Sequence, residues 1–192
     1  MALDGRGSPE PLWQAVRVIE TERLRLRAPE ADDAAGVFEM VSDVDIRRWS
    51  PVSRVTDLAS AAAWCAEVAD WSAGDRATWS VVEKDTGKFV GSVSVHSIDR
   101  VQADAEIGYR ITPAARGRHI AVEAVNAVTA WAFDNLSLVR MELAHAVANQ
   151  ASCSVARHSG YRLEGLLRQS FVYGDGHRYD EHLHARLVTD RV

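Results

Sequence analysis

The chain has 192 residues and a formal net charge of −5 at pH 7, with 47% hydrophobic and 26% charged residues. This length suits one domain, and the composition indicates a globular protein and excludes disordered, collagen-like and coiled-coil classes. The acidic charge disfavours direct nucleic-acid binding. No run approaches the roughly 18 apolar residues of a membrane span and the N-terminus lacks a signal-peptide pattern, so we expect a cytoplasmic protein without membrane contact.

The first third of the chain predicts a tail, one strand and two helices. Residues 1–19 carry glycines and prolines among charges, so we expect a flexible tail there and a single domain over 20–192. Leucine and arginine alternate over 22–27 with the period of a half-buried strand. Amphipathic stretches over about 32–41 and 56–72 predict two helices.

The period then changes to that of strands. Residues 79–83 and 89–95 flank a turn and predict an antiparallel hairpin. Residues 105–111 predict the fourth strand, which ends before Pro113. The strongest helical pattern follows over 119–133, where apolar residues recur at i, i+3, i+4 and i+7.

The last part predicts a strand over 141–147, a short helix over 152–158 and a terminal hairpin of strands over 166–173 and 179–188. Seven strands and four helices in this order predict one α/β domain of the α+β type. Its sheet is mixed but largely antiparallel, with helices packed against it.

An anion-binding site is indicated where the fourth strand ends and the long helix begins. Arg116 and Arg118 flank Gly117 directly before the helix. Unpaired N–H groups in the first turn of a helix and the positive end of its dipole favour phosphate oxygens, and arginines add charge-assisted contacts. A solvated basic turn is the alternative. The nucleotide-triphosphate loop and the dinucleotide fingerprint are excluded, because their glycine and lysine patterns are missing.

Several short motifs occur in one order along these elements, at 21–27, 89–93, 106–111, 116–124, 149–152, 158–161 and 163–165. Together they resemble the GNAT superfamily of N-acetyltransferases, and within it the RimJ/RimL-like branch, which acetylates protein N-termini. The resemblance covers about residues 20–188. It implies a seven-stranded sheet whose fourth and fifth strands splay apart.

The resemblance implies acetyl-CoA as co-substrate, held in the notch between the splayed strands. Main-chain groups near Ile111 would bind the pantetheine arm as an added strand would. Asn149 matches a residue that hydrogen-bonds this arm, although by itself it reads as a turn residue. The pyrophosphate would be wrapped by consecutive residues of the anion-binding corner, namely Arg116, Gly117, Arg118, His119, Ile120 and Ala121.

His119 departs from the family pattern, which has glycine or sometimes alanine at this place. Glycine lets phosphate approach the backbone closely. Histidine keeps its N–H group but adds a ring, so we expect a shifted loop, a ring that points outward, or a ring that donates to a phosphate.

Two residues are the candidates for catalysis. Ser152 matches the family position proposed to protonate the leaving thiolate, and it also suits the cap of the short helix. The family's glutamate base falls on Phe171 here, so the corresponding base is absent. Glu106 is the substitute candidate, acting through a water; its alternative is a solvent-facing carboxylate. His96 and His145 are further candidates, and each also reads as structural.

Aromatic and metal-ligating residues have simpler interpretations. Trp49 is the best candidate for an acceptor groove, whereas Trp71 and Trp131 read as core. Cys65 and Cys153 read as small buried residues in a reducing compartment. Three histidines of the terminal hairpin, His177, His182 and His184, lack cysteine partners there, so the sequence predicts no metal site.

We therefore expect acetyl transfer to a primary amine by direct attack in a ternary complex. At pH 7 about one-seventh of an α-amine is in the neutral form, compared with only about four parts in ten thousand of a lysine amine. A site with a weak base therefore favours a peptide or protein α-amine. A small-molecule amine acetyltransferase and a non-catalytic acyl-CoA sensor are the alternatives. Pairing of strand edges would give a homodimer.

Overall fold

The computed structural model describes residues 17–50 and 54–190. Most of the tail predicted over 1–19 therefore lies outside the described residues. Within the described part, the chain forms one eight-stranded sheet with helices on it. The strands are β1 (Ile19–Glu20), β2 (Leu24–Arg27), β3 (Ala77–Glu83), β4 (Phe89–Asp99), β5 (Asp104–Ile111), β6 (Arg140–Ala146), β7 (Arg162–Val172) and β8 (Arg178–Leu187).

The α-helices are α1 (Ala34–Ser42), α2 (Val44–Trp49), α3 (Leu58–Ala69), α4 (Ile120–Leu136) and α5 (Gln150–His158). The predicted mixed α/β fold is confirmed. Two short elements go beyond the prediction, the two-residue strand β1 and the six-residue helix α2, because neither is long enough to show a periodic pattern. Strand β1 adds an eighth strand at the sheet edge.

The sheet runs in the order β1-β2-β3-β4-β5-β6-β8-β7. All neighbouring strands are antiparallel except β5 and β6, whose parallel pairing covers only Asp104–Arg140, Ala105–Met141 and Glu106–Glu142. Beyond Glu106, β5 continues beside β4 and β6 continues beside β8. The predicted splaying of these two strands, the fourth and fifth of the sequence analysis, is confirmed.

The core lies between the sheet and α4. Trp71, Trp79 and Trp131 meet edge to face, with ring centroids 4.7–6.3 Å apart, and all three are buried. The prediction that Trp71 and Trp131 belong to the core is therefore confirmed. A second apolar cluster, around Val37 and Cys65, fixes α1 and α3.

The motif at residues 89–93 contains a glycine, Gly91, for a packing reason. Gly91 lies in β4 opposite Ile111, and a Cβ atom at this position would come within 2.3 Å of the carbonyl oxygen of Arg110. Only a residue without a side chain lets β4 and β5 approach this closely, so Gly91 helps to set the position of the open strand β5.

We expect Gly91→Ala to lower the free energy of unfolding by about 1–3 kcal/mol, because the methyl group would push β4 and β5 apart. Urea unfolding monitored by circular dichroism measures this. Gly165→Ala is the matched control, since a Cβ at Gly165 meets no atom within 4 Å. Equal stability of the two variants would contradict the role given to Gly91.

Candidate functional site

The divergence of β5 and β6 opens a cavity of about 1140 Å³. Its walls come from β5, the loop before α4, the first turns of α4 and α5, helix α2 and the β7–β8 hairpin. The cavity therefore joins parts of the chain that are far apart in sequence. It has the volume of a site for a large ligand.

One wall is an open strand edge. From Ile107 to Ile111, β5 pairs with β4 but has no pairing with β6. Main-chain amide and carbonyl groups on that side are available to an extended ligand, in the manner of an added strand. Ile111, the predicted binding position, is the last residue of this open edge and lines the cavity.

The loop between β5 and α4 presents its main chain to the cavity. Gly117, His119, Ile120 and Ala121 all line the cavity. The first intrahelical bond of α4 runs from the N–H of Glu123 to the carbonyl of His119, so earlier N–H groups of the turn have no helical acceptor. Free N–H groups and the positive end of a helix dipole are features that favour an anion.

His119 takes the left-handed backbone conformation, with φ 61° and ψ 16°, as the residue that begins α4. Gly117 also has a positive φ, of 72°. A side chain raises the energy of this conformation, which gives a second reason for the glycine of the family pattern at position 119. The exposed His119 ring meets His158 edge to face at 6.0 Å.

Arg116 and Arg118 make ion pairs within the protein. Arg116 Nη2 lies 2.5 Å from Asp43, which caps α2, and Arg118 Nη2 lies 2.5 Å from Glu83 of β3. Burial opposes the charge on Asp43, but the hydrogen bonds it accepts from Arg116 and from the α2 backbone lower its pKa. Both guanidinium groups thus fasten the loop, in addition to any anion contact.

The motif over residues 21–27 also holds the anion-binding corner in place, through contacts with the first turn of α4. Glu123 in the first turn of α4 accepts hydrogen bonds from Thr21 Oγ1 at 2.5 Å and from Arg23 Nε at 2.7 Å. Burial disfavours the Glu123 carboxylate, yet these bonds lower its pKa. Arg23 Nη1 also donates to the carbonyl of Arg118 at 3.0 Å. Residues 21–23 therefore hold the loop and the start of α4 together.

Ser152 lies on the opposite side of the notch, in the first turn of α5. Its hydroxyl is 2.9 Å from the hydroxyl of Tyr109 on β5, and its N–H donates to Asn149 Oδ1 at 3.1 Å. Asn149 is thus the cap of α5, the role that the sequence had suggested for Ser152. Burial raises the pKa of Tyr109 to about 12, so Tyr109 stays protonated and can donate to Ser152.

Tyr109 was missed at the sequence level. It lies within the motif 106–111, but its contact with Ser152 spans 43 residues and depends on how α5 packs over β5. Nothing in the spacing of the motif indicates this contact.

Glu106 faces the other side of the sheet. Side chains alternate along β5, so Glu106 shares a face with Arg110, whereas Tyr109 points to the face of α5. His96 lies opposite Glu106 in β4; burial lowers its pKa, and the nearby Glu106 charge opposes that shift. Burial also lowers the pKa of Arg110 to about 10, and its Nε atom has no hydrogen-bond partner among the described residues.

Aromatic residues line the cavity near α2. Trp49 packs edge to face on Tyr173 and Tyr179, with centroids 5.7 and 5.4 Å apart, and it lines the cavity as the sequence led us to expect. Phe171 lies in the same wall. Beneath these rings, buried Glu181 accepts hydrogen bonds from Tyr173 at 2.8 Å and from Ser170 at 2.7 Å. Glu181 is thus a further carboxylate of the cavity, beside Glu106 and Asp45, and the sequence does not single it out.

The structure also brings together His145, His182, His184 and Cys153, whose ligand-capable atoms lie within 4.8 Å of one another. The sequence argument against a metal site grouped His182 and His184 with His177. In the structure His177 lies elsewhere, beside Asp175, and the cysteine comes from α5. The grouping depends on the pairing of β6 with β8, which the sequence pattern does not reveal.

Comparison with known proteins shows the family of this chain. Residues 23–162 match the family model of the acetyltransferase (GNAT) domain. The uncharacterized N-acetyltransferase YoaA of Bacillus subtilis is 27% identical over 88% of this chain and 95% of that protein. The ribosomal-protein-serine acetyltransferase of Escherichia coli is 30% identical over 54% of this chain and 58% of that protein.

Solved structures share the fold. An acetyltransferase (GNAT family) from Bacillus anthracis has a TM-score of 0.77 and 25% identity, covering 88% of this chain and 98% of that one. RimL, a ribosomal L7/L12 alpha-N-protein acetyltransferase in complex with coenzyme A, has a TM-score of 0.80 and 20% identity, covering 89% and 98%. Among the described residues, no helix is both long enough and apolar enough to cross a membrane.

We expect His119→Gly to raise the free energy of unfolding by up to about 1 kcal/mol, because it removes the Cβ that disfavours the left-handed conformation. Urea unfolding measures the change. His119→Ala is the control, since it removes the ring but keeps the Cβ. If His119→Ala stabilises the protein as much as His119→Gly, the backbone explanation is wrong.

Proposed function

The chain belongs to the GNAT acetyltransferase family, and we propose that it transfers the acetyl group of acetyl-CoA to the α-amino group of a peptide or protein. The transfer is a direct attack of the amine on the thioester in a ternary complex. The observation that carries this proposal is the parallel pairing of β5 with β6, which ends after three residue pairs and leaves an open strand edge beside an anion-binding helix start.

The donor would lie along the open edge of β5. Amide groups of the pantetheine arm match the free main-chain groups between Ile107 and Ile111. The pyrophosphate would be bound by the loop N–H groups of Gly117, Arg118 and His119 and by those of Ile120 and Ala121 in the first turn of α4. Arg116 and Arg118 would hold this loop in place through Asp43 and Glu83, and add positive charge near the phosphates. The residues present therefore fit the co-substrate.

Ser152 would protonate the departing thiolate. Its hydroxyl lies 2.9 Å from Tyr109, and Asn149 fixes its backbone. As Ser152 gives up its proton, its alkoxide is a stronger base than a tyrosinate and can take a proton from Tyr109, which is protonated at neutral pH; a proton from solvent then restores Tyr109. Ser152 and Tyr109 form a two-hydroxyl relay on the α5 face of the notch.

Glu106 would receive a proton from the amine, through a water, on the opposite face of the sheet. The family's base position holds Phe171, which cannot accept a proton. Carboxylates that line the cavity are Asp45, Glu106 and the buried Glu181, and Asp45 is paired with Arg116. Glu181 already accepts bonds from two hydroxyl groups, which favours Glu106. His96 beside Glu106 remains neutral, because burial lowers its pKa.

The acceptor would enter between α2 and the β7–β8 hairpin. Trp49, Phe171 and Tyr173 offer rings to the apolar part of a peptide. Support for a peptide or protein comes from the relatives that carry the name ribosomal-protein acetyltransferase, and such an acceptor would place the protein in the cytoplasm.

An amine panel tests the acceptor. We expect faster release of free thiol from acetyl-CoA with peptides that present an α-amine than with N-blocked peptides that present lysine at pH 7, because the α-amine is more often neutral. Faster lysine turnover would overturn the α-amine assignment. Turnover with small amines alone would replace it with a small-molecule acetyltransferase. No turnover, combined with a rise in melting temperature on adding coenzyme A, would indicate an acyl-CoA sensor.

We expect Ser152→Ala to lower kcat roughly 100- to 10,000-fold with little change in the KM for acetyl-CoA, because it removes the proton donor to the thiolate. Steady-state thiol release measures both constants. Ser154→Ala is the matched control: it removes a hydroxyl from the same helix that bonds to His158 instead. A similar loss of kcat in both variants would mean that the effect comes from the helix and not from the hydroxyl of Ser152.

A further inference from the structure

We propose that His145, His182, His184 and Cys153 form a zinc-binding site beside the notch. His145 lies on β6 directly opposite His182 of β8, and His184 follows two residues later on the same face. Helix α5 packs over this face and brings Cys153 to the three rings. The ligand-capable atoms of all four residues lie within 4.8 Å of one another.

Backbone carbonyl groups orient two of the rings. His145 Nδ1 lies 2.8 Å from the carbonyl oxygen of Ala146, and His184 Nδ1 lies 3.2 Å from that of Tyr161. A carbonyl accepts only, so the hydrogen-bond network assigns the proton to Nδ1 in both rings and leaves an unshared electron pair on each Nε2. Histidine ligands of metal ions are usually held in this way, with the other ring N–H donated to a carbonyl or carboxylate.

The two free nitrogens point at each other. His145 Nε2 and His184 Nε2 are 3.2 Å apart. Two electron pairs at this separation repel, and a hydrogen bond between them would require one ring to lose its carbonyl partner or to carry a buried positive charge. A metal ion removes the repulsion. Tetrahedral zinc with Zn–N bonds of about 2.0–2.1 Å places two ligand nitrogens about 3.3–3.4 Å apart, close to the observed distance.

The other two residues complete the set. His182 Nδ1 is buried and has no hydrogen-bond partner among the described residues, although a buried nitrogen of this kind normally has one. Cys153 is half-buried and unpaired with Cys65. One thiolate and three imidazoles suit zinc in a closed tetrahedral site. Binding all four to one ion would shorten the longest distance between their ligand atoms by roughly 1 Å. The cysteine thiol would lose its proton to solvent on binding.

The position of the site gives it a consequence for the fold. Cys153 follows Ser152 directly, so an ion bound here would tie the first turn of α5 to β6 and β8. The inference does not rest on the proposed acetyl transfer, and zinc binding can be measured without acetyl-CoA. Failure of one therefore leaves the other intact.

The test uses the full chain without an affinity tag, freed of metal by a chelator that is then removed. Zinc is titrated in competition with a chromophoric chelator, and Co²⁺ serves as a coloured substitute. We expect one zinc ion per chain with a Kd below about 1 µM, a higher melting temperature with zinc, and a Co²⁺ spectrum with tetrahedral and thiolate charge-transfer bands.

Variants connect these signals to the proposed ligands. Cys153→Ser should remove the thiolate band, and His182→Gln should weaken zinc binding at least about tenfold. His177→Gln and Cys65→Ala are the controls, since they remove a histidine and a cysteine outside the group; both should bind like the natural chain. Circular dichroism confirms that each variant is folded. Absence of binding by the natural chain, or binding unchanged in Cys153→Ser and His182→Gln, would overturn the proposal.

Discussion

The site depends on a parallel ladder that ends early. After three residue pairs β5 and β6 part, and each keeps a single neighbour, β4 or β8. The separation leaves backbone groups of β5 without a strand partner, which would be costly in a closed core, but here they face a cavity. The same divergence makes room for the loop before α4 and for the start of α5. The wall proposed to bind the phosphates and the wall that carries Ser152 therefore both depend on it.

Charge pairs hold the corner rigid around this opening. Arg116 connects the loop to the cap of α2, Arg118 connects it to β3, and Glu123 connects the first turn of α4 to Thr21 and Arg23. The main chain that faces the cavity is thus fixed from three directions before a ligand arrives. Preorganisation of this kind reduces the entropy lost on binding.

The sequence predicts the parts of this structure that repeat with a period or sit at an element boundary. Seven strands and helix α4 are visible from alternation and helical spacing. Anion binding by the loop before α4 is predicted from two arginines ahead of a helix and stays a prediction. The short elements β1 and α2 carry no period. The Tyr109–Ser152 bond and the histidine group need strand register and helix packing, which bring together residues 43 and 39 positions apart. The roles of Ser152 and Glu106 stay predictions.

Side-chain alternation along β5 separates Glu106 from Tyr109 by the thickness of the sheet. In the proposed reaction, the amine would approach from one face while the sulfur departs on the other. The proton taken from the amine and the proton given to the thiolate would then be handled on different faces of the sheet.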